Sequence, residues 1–184
     1  MKKITILRLA LCSLLFIMGC GKDDCETCKE ETEPGNIQIG DELPNFSVKL
    51  NNGAQVNNKS LEGKISLILF FSVTCPDCQK LFPSIEDIYE EYKNNDKFIF
   101  VAISRAEGES VVSKFMNEKG YTFPYSPQET RDVYSLFAPS IVPRVYISNS
   151  DGIVEQIFID NPLATHEQMK SKIDELIEIL CCKS

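Results

Sequence analysis

Two cysteines separated by two residues, Cys75 and Cys78, are the side chains whose spacing points most directly to chemistry. They follow an apolar run, residues 65–71, and open a stretch whose apolar residues recur at helical spacing. A sulfur at the start of a helix faces unpaired amide groups, which stabilise the negative charge of a thiolate. A thiolate attacks disulfides, and a second cysteine one turn later can resolve the mixed disulfide. The pattern therefore predicts thiol–disulfide exchange.

The residues between the cysteines fit this interpretation. Pro76 suits the first turn of a helix, where its missing N–H is no loss. Asp77 is the nearest carboxylate in sequence, and its charge would oppose a neighbouring thiolate and favour the oxidised form, which predicts a reductant. Asp77 can also be a solvated first-turn acid. Two alternatives for the cysteine pair stay open: a structural disulfide, or half of a zinc site completed by Cys25 and Cys28.

The elements that must position the cysteines can be read from the periodicity of the sequence. Nearly continuous apolar runs predict two strands that are covered on both faces. A helix follows the cysteines, and a hairpin and a final helix close the chain. Strands that alternate with helices predict an α/β fold, a central mixed sheet flanked by helices on both faces. The predicted strands are 46–50, 65–71, 98–103, 144–147 and 153–159. The predicted helices are one that the cysteine pair opens, with its apolar stripe at 81–92, and others at 110–119, at 128–137 and from Thr165.

The run from Phe70 to Cys78, with Pro83 five residues further on, resembles the thioredoxin superfamily. Residues 39–46 resemble the opening of TlpA/ResA-type (AhpC/TSA-redoxin) and peroxiredoxin-like domains. The resemblance covers about residues 37–180, and it implies a thioredoxin-like fold with the TlpA/ResA-type strand–helix insertion and no cofactor or metal. Val142-Pro143 resembles the cis-proline pair that faces the cysteines in this superfamily.

The resemblance also implies a set of substrate-contacting residues around the cysteines. An extended substrate strand would lie beside Cys75, where the backbone next to a cis proline can accept it. The implied contacts are Thr74, Pro76, Val142 and Pro143. Three positions depart from the family pattern: Thr74 replaces a tryptophan of thioredoxins, Leu69 replaces a buried aspartate, and Leu81 replaces a glutamate of some TlpA/ResA members. The sequence therefore shows no obvious buried base.

The N-terminal residues predict export and a lipid anchor. Three basic residues precede an apolar run that is too short to span a bilayer, and Gly19-Cys20 follows it. This resembles a bacterial lipoprotein signal in which Cys20 is lipidated, and an ordinary signal peptide is the alternative. We expect a signal peptide at 1–19, an acidic tether at 20–36 and a thioredoxin-like domain at 37–184. The predicted location is the bacterial cell envelope, on the periplasmic face or the cell surface.

Charge and the remaining cysteines limit the partners. The net charge is −8 and no basic stripe is present, which disfavours nucleic-acid binding. The predicted partners are exported cysteine-containing proteins and a membrane or periplasmic electron donor, and a monomer is expected.

The remaining cysteines form two further close pairs. We interpret Cys25 and Cys28 as a passive disulfide or as reduced thiols rather than as a second redox pair, and Cys181 and Cys182 can pair with another cysteine or stay free.

Two other functions remain as alternatives. A peroxiredoxin-like peroxidase would need a proline and a hydroxyl residue at fixed distances before Cys75, but Ile68 occupies the first position and only Ser72 fits the second. A copper carrier or partner-binding module of the same fold would use a histidine. His166 falls in the wrong order along the chain, so we interpret it as a surface residue.

Overall fold

A computed structural model describes residues 35–183 of the chain. The predicted signal peptide, Cys20 and the Cys25/Cys28 pair lie outside these described residues. The elements are β1 Ser47–Lys49, β2 Gln55–Asn57, α1 Asn58–Leu61, β3 Ile65–Phe71, α2 Pro76–Tyr92, β4 Phe98–Ser104, α3 Glu109–Lys119, β5 Tyr125–Ser126, α4 Asp132–Phe137, β6 Arg144–Ser148, β7 Val154–Phe158 and α5 His166–Lys183.

The main sheet has five strands in the order β5-β4-β3-β6-β7. β3, β4 and β5 are parallel, whereas β6 runs antiparallel to β3 and β7 antiparallel to β6. β3 lies at the centre, and none of its seven residues is more than 1% exposed. A strand covered on both faces has no polar face to present, which is why its sequence is almost continuously apolar. β1 and β2 form a separate two-stranded hairpin.

Neighbouring aromatic residues at the end of β3 show how the two faces are covered. Phe71 points to one face, where its ring packs against Phe82 of α2 at 5.5 Å between centroids. Phe70 points to the other face and contacts Tyr134 and Phe137 of α4, at 5.3 and 4.8 Å. Because successive side chains of a strand point in opposite directions, helices are held against both faces. The predicted mixed sheet with helices on both faces is confirmed.

The helices whose apolar residues recur over several turns match the helices predicted from the sequence. The predicted apolar face of α2 is buried, and Met169, Ile173 and Leu176 form the buried face of α5. α3 ends at Gly120, whose φ of 75° is a left-handed C-cap, and the Thr165–Gln168 capping box precedes α5. α4 begins at Asp132, four residues later than predicted. The sequence analysis missed β2, α1 and β5, which have two to four residues each and therefore show no period.

The first described residues, 35 to 37, bind the backbone of α4. The amide of Gly35 donates to the carbonyl of Ser135 at 2.7 Å, and the amide of Ile37 donates to the carbonyl of Phe137 at 2.9 Å. A Cβ at position 35 would lie 1.9 Å from the carbonyl oxygen of Leu136, so this close approach requires glycine. Within residues 35–183, no helix has the length and apolar character needed to cross a membrane.

A polar network links α2 to α5 at the surface. The Tyr92 hydroxyl donates to Asp174 at 2.5 Å, and Lys170 contacts both Asp174, at 3.0 Å, and Glu91. Partial burial acts to raise the pKa of Asp174, but the hydrogen bonds from Tyr92 and Lys170 outweigh it and lower that pKa below its ordinary value. Burial and the bond to Asp174 raise the pKa of Tyr92 to about 12.

The substitution Asp174→Asn should therefore remove a pH-dependent part of the stability. Because the pKa of Asp174 is lower in the folded state, its contribution is present above the unfolded pKa of about 3.9 and is lost as the pH falls through the folded pKa. In urea unfolding of the full chain, D174N should lose up to about 1 kcal/mol near neutral pH, since the carboxylate is half exposed, and nothing at acidic pH. E178Q, on the exposed side of α5, serves as the control. A loss that does not change with pH would contradict this prediction.

Candidate active site

Cys75 lies at the N-terminus of α2, directly above the end of the buried strand β3. It is the N-cap residue, with extended backbone angles, and Pro76 occupies the first helical turn. Its sulfur is partly exposed and donates to the carbonyl oxygen of Val142 at 3.5 Å. The first amides of α2 have no partner within the helix, so they present positive charge beside this sulfur. Cys75 is thus the cysteine of the pair that is reachable from solvent, and it lies at the helix end where the backbone amides are unpaired.

Cys78 lies one turn further along α2 and is fully buried. Its sulfur accepts a hydrogen bond from the amide of Ser72 at 3.5 Å. Burial raises the pKa of the Cys78 thiol far above its ordinary value, and the Ser72 amide opposes this only in part. Negative charge on Cys75 and on Glu107 raises the pKa further. Cys78 is therefore a protonated thiol shielded from solvent. Cys75 and Cys78 are free thiols in this structure.

The loop before β6 forms the opposite side of the site. The Val142–Pro143 peptide bond is cis, and Val142 and Pro143 are both buried. Ile141 precedes them with a φ of 75°, in the left-handed region that a β-branched residue rarely adopts. The Tyr134 hydroxyl donates to the carbonyl of Ile141 at 2.7 Å and helps to hold this conformation. The loop thereby presents the Val142 carbonyl to Cys75.

Glu107 is a site residue that the sequence analysis missed. Its carboxylate binds the three residues that precede Cys75. It accepts from the Val73 amide at 2.6 Å, from the Ser72 hydroxyl at 2.7 Å, and from the Thr74 hydroxyl and amide at 3.0 and 3.3 Å. Four donors that converge on one carboxylate fix the segment between β3 and α2 and satisfy amides that would otherwise need water.

The topology of the sheet explains why Glu107 reaches this segment. β3 and β4 are parallel neighbours, so the residues after their carboxyl ends meet at the same edge. The Arg105 amide extends this pairing with a bond to the carbonyl of Phe71 at 2.8 Å. The Ser104 hydroxyl then donates to the backbone carbonyl of Glu107 at 2.6 Å and fixes the turn. The sequence did contain a signal for Glu107. If the two predicted strands are parallel neighbours, an acid just past the second strand must lie near the cysteines that follow the first.

The other predicted site residues have these positions. Thr74 and Pro76 are exposed beside Cys75. Asp77 forms an exposed ion pair with Lys80 at 2.7 Å, so its charge is partly offset, and its predicted role in redox tuning stays a prediction. Leu69 and Leu81 are buried apolar residues. There is no carboxylate at those two places, while Glu107 supplies one from the loop after β4.

The residues of the alternative functions lie elsewhere or have other partners. The Ser72 hydroxyl, which a peroxidase would use, is bonded to Glu107 and Thr74. His166 is half-buried rather than fully exposed and bonds Glu91 near the far end of α2, 16 residues after Cys75 and thus roughly 24 Å away along the helix. Among residues 35–183, no group of three or more His, Cys, Asp or Glu side chains could hold a metal ion.

The two cysteines at the end of the last helix are separate from this site. Cys181 and Cys182 are exposed free thiols on α5, and Lys97 donates to the Cys181 sulfur at 2.9 Å.

Comparison with known proteins agrees with this geometry. Residues 39–157, more than half of the chain, match the model of the AhpC/TSA family. The chain belongs to the AhpC/TSA family. Thiol-disulfide oxidoreductase ResA of Bacillus thuringiensis (strain Al Hakam) is 28% identical over 141 residues, which are 76% of this chain and 79% of the relative. ResA of Bacillus subtilis (strain 168) is 29% identical over 122 residues, 66% of this chain and 68% of the relative.

Solved structures extend the comparison to the fold. A solution structure from Bacteroides thetaiotaomicron has a TM-score of 0.70 and 28% identity, and the match covers 80% of this chain and 94% of that one. StoA of Bacillus subtilis has a TM-score of 0.61 at 21% identity, over 70% and 96% of the two chains. The predicted TlpA/ResA-like relationship, thioredoxin-like fold and enzyme class, thiol–disulfide oxidoreductase, are thereby confirmed for this AhpC/TSA-family chain.

The difference in burial between the two cysteines predicts selective alkylation. In the reduced full chain, iodoacetamide should modify Cys75 at least about tenfold faster than Cys78, because the buried thiol is protonated and shielded. Fragment mass spectrometry resolves the two sites, and the exposed Cys182 serves as an internal reference. Cys78 should stay slow in a C75S variant. Comparable rates at Cys75 and Cys78 would show that the described geometry is wrong.

Removal of the Glu107 carboxylate should loosen the segment before Cys75. Glu107→Ala leaves the Val73 amide without its acceptor and removes one of the two acceptors of the Thr74 amide, and we expect a loss of about 1–3 kcal/mol in the free energy of unfolding. Amide hydrogen exchange should accelerate at residues 73 and 74. Glu118→Ala, on the exposed face of α3, should change the stability by less than about 0.5 kcal/mol. Unchanged exchange at both amides in E107A would contradict this role.

Proposed function

We propose that this protein is a disulfide reductase that acts on exported proteins through Cys75 and Cys78. One observation carries the proposal. The reachable sulfur of Cys75 lies at a helix N-terminus and faces the Val142 carbonyl at 3.5 Å, while the buried Cys78 stands one turn behind it. The first sulfur can meet a substrate and the second can act only on the first, which is the division of labour that disulfide exchange requires.

The reaction follows from this arrangement in two steps. The Cys75 thiolate attacks one sulfur of a substrate disulfide, so a Cys75–substrate bond forms, the substrate S–S bond breaks, and one substrate thiolate leaves. Cys78 then attacks the Cys75 sulfur, which releases the second substrate sulfur, and the proton of Cys78 balances the charge of that leaving thiolate. The enzyme gives up two electrons and ends as the Cys75–Cys78 disulfide, and a thiol donor must restore the dithiol.

The direction of the reaction is supported by the surroundings of the pair. Burial keeps Cys78 protonated, and Glu107 adds negative charge close to the site. Both effects disfavour thiolates, and a dithiol whose thiolates are less stabilised gives up electrons more readily. Thr74, Pro76, Val142 and Pro143 line the approach to Cys75 and would contact an extended substrate segment, with Asp77 tuning the potential.

The cellular setting of the proposal rests on the sequence. The basic and apolar N-terminus with Gly19-Cys20 supports export and a lipid anchor at Cys20, which would place the domain in the bacterial cell envelope. Its partners would be exported proteins with cysteines and a membrane or periplasmic electron donor. We expect the domain to act as a monomer and without nucleic acid.

Insulin reduction tests the proposed activity. The full chain should accelerate the reduction of insulin disulfides by a thiol donor, and C75S should abolish this because the attacking sulfur is gone. C78S should also lose turnover but should still form a mixed disulfide, which non-reducing mass spectrometry detects as an adduct at Cys75. The control C181S/C182S should keep full activity. Retention of activity in C75S would refute the proposal.

A further inference from the structure

Three arginines gather around one tyrosine beside the active-site loop. Arg131 and Arg105 place their guanidinium carbons 5.4 and 6.0 Å from the centre of the Tyr134 ring. Arg144 is the residue after Pro143 and is 7% exposed. Burial raises the pKa of Tyr134, and the positive charges of Arg144, Arg105 and Arg131 act against that rise. We call these three arginines and Tyr134 the arginine cluster.

The charges of the arginine cluster are not neutralised within the described part of the chain. None of the three arginines forms a salt bridge within residues 35–183. Arg131 donates to the backbone carbonyl of Pro139 at 3.0 Å, and Arg144 donates to that of Ser140 at 3.2 Å. The Nε of Arg144 is buried and has no hydrogen-bond partner. A buried guanidinium without an anion is unfavourable, so this cluster is prepared for a negative group.

The arginine cluster is built into the loop that faces Cys75. Consecutive carbonyls of this loop have different partners: those of Pro139, Ser140 and Ile141 bind the cluster, and that of Val142 contacts the Cys75 sulfur. Consecutive Cα atoms are about 3.8 Å apart, so only about 8 Å of backbone separates Ser140 from Val142. A substrate segment held at Val142 while its cysteine meets Cys75 would have its flanking residues beside the arginines.

We propose that the arginine cluster binds a carboxylate side chain of the substrate, within a few residues of the cysteine that Cys75 attacks. This inference rests on the proposed reductase function and adds the class of substrate, a disulfide with acidic residues next to it. Guanidinium groups suit carboxylates because their planar donors match the two oxygens. The overall charge of −8 would repel acidic proteins at long range, so a preference for them must come from a local site.

The test compares two synthetic peptides, each with one internal disulfide. They differ only in two residues next to a cysteine, which are Asp in one peptide and Asn in the other. The full chain is reduced, freed of reductant and mixed with each peptide, and the single-turnover rate constant is followed by acid quenching and alkylation. We expect the Asp peptide to react about three- to tenfold faster at low salt, and the preference to fall at about 1 M salt, where charges are screened within about 3 Å.

Matched variants separate the arginine cluster from general charge effects. R105Q/R131Q leaves the buried Arg144 in place and should bring the ratio of the two rate constants to about one, whereas K114Q/K119Q on α3 removes the same charge and should retain the preference. The ratio is the readout, so a general change in activity cancels. In a further variant, Glu30, Glu31 and Glu33 of the predicted acidic tether are replaced by glutamine. This variant should retain the preference for the Asp peptide.

The outcomes distinguish this inference from the proposed function. If neither peptide is reduced, the proposed reductase function fails. If both peptides are reduced at equal rates, only the inference about the arginine cluster is overturned. This holds even if inorganic phosphate slows both reductions equally, because the cluster would then bind free anions and not the acidic side chains of the substrate. A preference that appears only after Glu30, Glu31 and Glu33 are neutralised would show that the chain's own acidic segment occupies the cluster and would also overturn the proposal.

Discussion

The complete burial of β3 is the constraint on which the site depends. Because no residue of this strand is more than 1% exposed, helices must cover both of its faces, and the chain can meet solvent only where the strand ends. That end carries Cys75, and Phe71 and Phe70 anchor α2 and α4 on opposite sides just below it. The position of the reactive sulfur is therefore fixed by the core rather than by the loop that contains it.

Two kinds of charge meet at this edge of the sheet, and the structure gives them different partners. The carboxylate of Glu107 is fully engaged by the segment before Cys75, whereas the arginine cluster binds the loop that carries Val142 and has spare donors. The first charge therefore shapes the protein and the electrostatics of the thiols, and the second is available to a ligand. Burial is the main cause of the raised pKa of Cys78, and the negative charge of Glu107 adds to it. The site thus has a carboxylate whose donors are all within the protein and a buried guanidinium with an unpartnered donor, so charges of both signs lie near the cysteine pair.

The sequence predicted those features that local patterns encode. The apolar run of β3, the periodic face of α2 and the helix-capping residues Gly120 and Thr165 are local, and the structure has them at the predicted places. Glu107 escaped prediction because its partners lie 33 to 35 residues away in the chain, and the pairing of the parallel strands β3 and β4 brings them together. Arg131 and Arg144 have partners only eight and four residues away, but these contacts depend on the irregular loop before β6, which shows no period. The very short β2, α1 and β5 were missed because two to four residues cannot show a period, and their conformation is decided by tertiary contacts.

The connection between β4 and β5 contains more than structural support. Glu107 lies at its beginning, in the loop between β4 and α3. The same connection adds β5 to the edge of the sheet, so it both extends the sheet and brings an acid to the segment before Cys75. In evolutionary terms, a change in this remote connection can therefore alter an active-site neighbour without any change to the catalytic helix itself.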